Sequence, residues 1–374
     1  MKIAIIGQKG IPAFSGGVEK HVENLSVHLA NLGHDVTVYT RSRYSKTKLK
    51  TYMGVNLINL PSIPTKHLDA ISHTFFSVLD AIFRRDYDII HFHSIGPSSL
   101  IWLVKLFKPR IPVVATFHTQ CYHHKKWGNL AKYYLKFGEF VCCHSADKVI
   151  TVSETLKKYA DKKYQITTVY IPNGVNIPQL ASAQIISQRW SLLKNSYIVV
   201  ITRLIAHKGV QYVINAYNDI KTDKKLVIVG SGHFTDKYAS DLRKLAENNQ
   251  NIIFTGNQSG ATLAELFSNA FFFIQPSESE GLSIALLEAI SFGRAVLVSD
   301  IPENLEPIGD FGFVFKNKNV ADLKNKMKYL LDNPDLAEQR GKLGREFVLN
   351  KYNWQNISRE IINLYQEAIR EKNQ

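Results

Sequence analysis

A chain of 374 residues exceeds the roughly 100–200 of one ordinary domain and points to two. With 45% hydrophobic and 21% charged residues, the composition excludes a disordered or membrane-embedded protein. The formal charge of +14 is lopsided: residues 1–177 carry 23 Lys and Arg against 11 Asp and Glu, and 178–374 carry 23 against 21, so the basic surplus lies in the first half and suits nucleic acid, anionic lipid or phosphorylated ligands there.

The opening MKIAIIGQKGIPAF has too short an apolar stretch, broken too soon by glycine and lysine, for a signal peptide, and is expected to start with a strand at Ile3–Ile6. A helix is predicted between Val18 and Leu32, stopped by Gly33. Further strands are predicted at Val36–Tyr39, Ile89–Phe92, Val113–Thr116 and Lys148–Val152. Short apolar runs, each followed by a turn and a helix-period segment, are the pattern of a parallel sheet wrapped in helices. SLIWLVKLF at 99–107 is about half the roughly 20 residues a spanning helix needs, so any membrane contact is expected to be peripheral. Cys121, Cys142 and Cys143 lack the spacing of a zinc or redox motif and read as structural thiols in a reducing, cytoplasmic compartment.

The run IPNGVNIP packs two prolines and a glycine around residues 171–178, and strand–helix alternation begins afresh beyond it. The expected domains are 1–177 and 178–353, with a helical tail at 354–374 crossing back onto the first. The second set of strands is predicted at Tyr197–Ile201, Lys225–Val229, Ile252–Thr255, Phe271–Gln275 and Ala295–Ser299. Two doubly wound domains of this kind hold their ligands at the carboxyl ends of the strands, in a cleft between the two.

Chemistry-bearing residues collect at those strand ends. FSGGVEKHVENL places Gly16 and Gly17 before the first helix, where backbone can approach a phosphate or sugar closely. The dinucleotide fingerprint is absent, which argues against a nicotinamide enzyme. Eleven of the 13 histidines precede residue 178. His91 and His93 alternate on one strand and, with His118, His123 or His124, could form a metal set, although no acidic residue lies near them on a strand end and His91 reads as a core residue. Asp86-Tyr87-Asp88 imitates a manganese-binding triplet but precedes a buried strand, where Asp88 is expected to cap its own turn. No essential metal and no bound cofactor is expected.

In ITRLIAHKG, Arg203 ends a strand and Lys208 follows at the start of a helix, a pair of cations suited to a diphosphate. In PSESEGLSIALLEAISFG, a strand runs through a polar loop into a helix starting near Ser283, so the backbone N–H groups of Gly281, Leu282, Ser283 and Ile284 favour anions and hydroxyls. Glu280 and Glu288 lie eight residues apart, about two turns along the same side. One carboxylate can reach a sugar and the other a ribose diol.

This last segment resembles the glutamate–seven residues–glutamate signature of glycosyltransferase family 4, retaining enzymes of the GT-B fold with two Rossmann-like α/β domains. The likeness extends to the Arg203/Lys208 pair, to GQKGIPAFSGGVE, as in members that build bacterial surface polysaccharides, and to His118 at the end of VVATFHTQ. It implies that Glu288 binds the ribose, that Glu280 faces the donor sugar, that Gly16 and Gly17 lie near the diphosphate, and that His118 contacts the sugar. It further implies a metal-independent, retaining hexosyl transfer from a nucleoside diphosphate sugar, with UDP favoured. The acceptor would be lipid-linked or an oligosaccharide, in capsule, exopolysaccharide or lipopolysaccharide synthesis. Asn176 stands where relatives commonly have aspartate.

The basic surplus has a predicted place. Arg41, Arg43, Lys46, Lys48 and Lys50 follow the second strand. Lys105, Lys108, Arg110, Lys125, Lys126, Lys132 and Lys136 surround Trp102, Leu103, Phe107, Trp127, Tyr133, Tyr134 and Phe137, a mixture suited to an anionic membrane surface. Two other readings are a nucleotide-sugar epimerase or hydrolase of the same fold, and a nucleic-acid-binding protein. The second has only charge in its favour, since no helix-turn-helix or zinc pattern is present.

Overall fold

The computed structural model describes every residue except Ser15 and residues 45–48, 66–67, 124–127 and 233–235. Lys46, Lys48, His124, Lys125, Lys126 and Trp127 therefore lie outside the described residues, as does the side chain of His123. The chain divides into two compact units, Met1–Asn173 with Trp354–Gln374, and Gly174–Asn353.

Unit 1 runs β1 (Lys2–Ile6), α1 (Gly17–Asn31), β2 (Asp35–Arg41), β3 (Thr51–Tyr52), β4 (Val55–Leu60), α2 (Asp69–Phe83), β5 (Ile89–His93), α3 (Ile95–Ser98), α4 (Ile101–Phe107), β6 (Val113–Phe117), α5 (Asn129–Ser145), β7 (Lys148–Thr151), α6 (Glu154–Tyr164) and β8 (Val169–Tyr170). Its sheet has the order β3-β4-β2-β1-β5-β6-β7-β8, parallel throughout except for the β3–β4 edge pair. Helices cover both faces, so β5 and β6 are buried at every residue, His91, His93 and Thr116 included. Strand order reverses at β1, with β2 on one side and β5 on the other, the place where such sheets bind their ligands.

Unit 2 runs α7 (Ile185–Trp190), β9 (Tyr197–Ile201), α8 (Val210–Asn218), β10 (Lys225–Val229), α9 (Asp236–Ala246), β11 (Ile252–Gly256), α10 (Gly260–Asn269), β12 (Phe272–Gln275), α11 (Ile284–Ser291), β13 (Ala295–Ser299), α12 (Pro302–Leu305), β14 (Phe313–Phe315), α13 (Val320–Asp332) and α14 (Pro334–Lys351). Its six parallel strands have the order β11-β10-β9-β12-β13-β14, so the reversal falls between β9 and β12. Ile198, Val200, Leu226, Ile228, Phe272 and Leu297 form the centre of its core.

The last helix, α15 (Trp354–Asn373), belongs to unit 1. Its Trp354, Ile357, Ile361, Leu364, Tyr365 and Ala368, spaced three and four apart, pack with Ile3, Ile5, Val22 and Leu25 in one core. At roughly 1.5–3 kcal/mol for each large side chain, that stripe contributes on the order of 10 kcal/mol before the entropy of ordering the helix.

Two sequence expectations are corrected in unit 1. Arg41 is not part of a surface basic loop: it is buried, and its Nη1 donates to Asp69 Oδ2 at 2.5 Å. Asp88 does not cap its own turn. Its Oδ2 accepts from the backbone N–H of Lys2 at 2.7 Å and ties the start of β1 to β5, while Asp86 is exposed beside Lys108.

Candidate functional site

In unit 2 the loops that leave β9 and β12 meet at the reversal of strand order. Gly209, at φ 71°, ends the short turn Ala206–Lys208, and a Cβ there would lie 2.0 Å from the carbonyl oxygen of Pro276. Only glycine permits that approach. The backbone N–H of Glu278 donates to the carbonyl of His207 at 2.8 Å, locking the two loops together. The link is extended by Glu278, whose carboxylate accepts from the Tyr212 hydroxyl at 2.7 Å and pairs with Lys318 at 3.0 Å.

This brings Lys208 Nζ to 2.5 Å from Glu280 Oε1, with both side chains largely buried. Gln275 Nε2 donates to the same oxygen at 2.6 Å. Burial lowers the Lys208 pKa; Glu280 opposes that effect, and Arg203 reinforces it. Arg203 is half-buried and has no acidic partner among the described residues. Glu303 on α12 has its pKa raised by burial, with the Glu280 charge adding to it. The site thus holds two cations that repel, a carboxylate paired with one of them and a second carboxyl nearby, an arrangement that a bound polyanion would relieve.

The loop ends in Ser283, which caps α11 by accepting from Leu286 N at 3.3 Å. Gly281, Leu282, Ser283 and Ile284 are buried where the helix begins, and the first-turn N–H groups have no acceptor inside the helix. Glu288 is half-buried, on α11. Gly230, at φ 140°, follows β10, and a Cβ on it would lie 1.8 Å from the carbonyl oxygen of Thr202, so the loop beside Arg203 is closely packed as well.

In unit 1 the first loop ends in Gly16, the N-cap of α1, at φ 103°. A Cβ at Gly16 would lie 2.1 Å from Glu19 Oε2, whereas one at Gly17 would meet nothing within 4 Å. Glu19, in the first turn of α1, accepts from the backbone N–H of Lys9 at 3.3 Å, so the positive end of this helix already faces a carboxylate of its own.

His118, only 6% exposed, has its Nε2 3.0 Å from His93 Nδ1, and its ring meets that of His21 edge-on at 4.7 Å. His21 Nδ1 lies 2.8 Å from Asn173 Oδ1. Burial lowers the pKa of His21 to about 4, and burial with neighbouring imidazoles holds His93 and His118 well below the ordinary value. At neutral pH these rings are uncharged and act by hydrogen bonding.

His91 is a core residue, as its place on a buried strand implied, and not part of the metal set that it and His93 could have formed. Its Nδ1 lies 2.6 Å from the Tyr365 hydroxyl and its Nε2 2.7 Å from Thr116 Oγ1, so both nitrogens are satisfied in the core. The donor set that forms instead, His21, His93 and His118, has its nitrogens within 4.8 Å of one another. The sequence reading missed His21 because it sits on a helix distant in the chain from both strands. Gln275 and Glu278 were missed as well, although Gln275 ends the strand before the signature loop and Glu278 lies within it.

Residues 15–179 match the family model described as Glycosyltransferase Family 4, and residues 184–347 the model described as Glycosyl transferases group 1. An uncharacterized glycosyltransferase of Methanocaldococcus jannaschii is 26% identical and covers 99% of each chain. The phosphatidyl-myo-inositol mannosyltransferase of Mycobacterium leprae is 25% identical over 94% of this chain and 93% of its own. Among solved structures, a sucrose-phosphate synthase from Thermosynechococcus elongatus superimposes with a TM-score of 0.84 at 21% identity, covering 98% of each chain. Anabaena HepE in complex with UDP-glucose gives 0.81 at 16% identity, covering 98% of this chain and 100% of that one.

Proposed function

Because the chain belongs to the family 4 glycosyltransferases and has their GT-B fold, we propose that it moves a hexosyl-type sugar from a nucleoside diphosphate sugar to a lipid-linked or oligosaccharide acceptor. Transfer proceeds with retention of configuration and without a metal. The observation that carries this reading is the Lys208–Glu280 pair, buried beside Arg203 where strand order reverses.

As the bond from the anomeric carbon to the diphosphate oxygen breaks, negative charge grows on the leaving group. The Arg203 guanidinium and Lys208 ammonium offset it, the service a metal performs elsewhere. The acceptor oxygen forms the new bond to the anomeric carbon and passes its proton to the departing diphosphate oxygen. Lys208 turns from Glu280 to the diphosphate, and Glu280 becomes available to the sugar hydroxyls. The amides of Gly281, Leu282, Ser283 and Ile284 support the donor, and Glu288 takes the ribose diol. From unit 1, uncharged His118 hydrogen-bonds a sugar hydroxyl, and Gly16 and Gly17 allow the diphosphate to approach backbone.

A UDP-sugar is the favoured donor, supported by the UDP-glucose held by the HepE neighbour. A lipid-linked acceptor is supported by the M. leprae relative, named for transfer to phosphatidyl-myo-inositol. Capsule, exopolysaccharide or lipopolysaccharide synthesis on the cytoplasmic side of an anionic membrane is the setting that fits, with no nucleic acid involved.

Calorimetry with UDP-, GDP- and ADP-sugars tests the donor: one should bind, and silence from all three overturns the reading. Glu288→Ala should weaken that binding by roughly 10- to 100-fold, the worth of a hydrogen bond to a charged group. Turnover should survive EDTA. Loss that zinc or manganese restores would instead make His21, His93 and His118 a metal site.

A further inference from the structure

On α5 the stripe that an ordinary surface helix turns to the core is turned to water. Leu130, Tyr133, Phe137 and Phe140 recur at three- and four-residue spacing along one face, with Leu130 85% and Tyr133 71% exposed. The opposite face, with Leu135, Gly138, Glu139 and Cys142, is the buried one. The neighbouring α4 repeats the inversion: Trp102, Leu106 and Phe107 are exposed while Leu103 and Val104 are buried. α4 packs against both α5 and α2, and the exposed Phe83 ring at the end of α2 lies 5.4 Å from that of Phe107. A large aromatic side chain presents roughly 150–250 Å² in full, so eight large apolar side chains, most of them half or more exposed, outgrow the few hundred Å² usual for a monomer's largest patch.

The charge around these side chains selects the partner. Residues 99–145 hold seven Lys and Arg and a single acid, Glu139, which is buried. Lys105 and Lys108 are neutralised by Asp147 and Asp86. Arg110, Lys132 and Lys136 have no acidic partner among the described residues. A second copy of this chain would set cations against cations across such a face. A bilayer of anionic lipid meets both demands, with headgroups for the cations and an acyl boundary for the rings.

We infer that the α4–α5 face of unit 1 docks on an anionic lipid bilayer. The inference rests on the proposed transfer to a lipid-linked acceptor for its purpose, and on exposure and charge for its place. Vesicle flotation of the full chain tests it, with phosphatidylcholine alone and with one third phosphatidylglycerol. Binding should appear only with the anionic lipid and weaken as salt shortens the screening length to about 8 Å. Each cation near the surface is worth about five-fold, so Lys132→Glu with Lys136→Glu should lower partitioning by at least about 25-fold. Phe137→Glu, at an exposed position, should abolish it while the melting temperature and donor affinity stay unchanged.

Unchanged vesicle binding by both variants overturns the inference, and so does a dimer that Phe137→Glu dissociates. Loss of donor affinity in the unmutated chain would count against the transferase reading and leave the docking result standing.

Discussion

At the carboxyl ends of β5 and β6, unit 1 buries His93 and His118 against His21 with no acid among the described residues to balance them, whereas unit 2, between β9 and β12, buries Lys208 against Glu280. Burial lowers the pKa of the basic groups in both places. What differs is the countercharge. Without one, the imidazoles give up their protons and become neutral donors and acceptors suited to sugar hydroxyls. With one, the ammonium keeps a charge that can be lent to a diphosphate. The same parallel-sheet plan therefore supplies two kinds of strand-end chemistry, set by one carboxylate.

The hardest blow to that contrast is Lys208→Ala. It leaves the Glu280 carboxylate buried and unpaired, which typically costs about 3–5 kcal/mol. It also removes a charge from the leaving group, with an expected fall of roughly 10²–10³ in kcat/KM. The double variant Lys208→Met with Glu280→Gln separates the effects: stability in urea should return while turnover should not. Recovery of turnover would mean that the pair is only structural.

Next in size is the response to acid. His21 and His91 have folded pKa values of about 4 and about 3, below the 6.5 of the unfolded chain. Between those limits the unfolded chain binds more protons, so the stability these groups contribute is complete above pH 6.5 and lost as pH falls. At about 1.4 kcal/mol per pH unit for each, the two together remove about 4 kcal/mol at pH 5, and His93 and His118 act in the same direction. Hydrogen exchange, corrected for intrinsic rate, should show β1 and α1 deprotected at pH 5 while β9 and β10 hold. Equal deprotection would erase the distinction between the units.

The charged half of this comparison was far more legible in the sequence than the neutral half. Tyr197–Ile201, Lys225–Val229 and Ala295–Ser299 read to the residue because each has at least four consecutive apolar residues bounded by polar turns, and the strand–loop–helix around Glu280 is continuous in sequence. VNLINL in β4 escapes the apolar-run pattern, since two asparagines interrupt it and only Val55 and Leu57 are fully buried. The three residues of β14 are too few to carry a period. The Lys208–Glu280 pair spans 72 residues and the His21–Asn173 bond 152, and spacing along a chain cannot signal contacts made only by packing. Arg41 was misplaced for the same reason: its partner Asp69 comes from a helix the pattern did not reveal.

The finest probe is in unit 1, where two adjacent glycines make opposite demands. Gly16 needs its positive φ and has Glu19 against its open side, so Gly16→Ala should destabilise α1 whatever the ligand does. Gly17 is the first residue of the helix and has nothing within 4 Å of a would-be Cβ. Gly17→Ala should therefore keep or slightly raise stability, by about 0.4–1 kcal/mol, because alanine restricts the unfolded chain more than glycine does. If the donor diphosphate comes close to this backbone, the added methyl must still intrude on it, and KM for the donor should rise without any loss of fold. A higher melting temperature together with an unchanged KM would remove Gly17 from the donor site and leave the diphosphate to Arg203 and Lys208 alone.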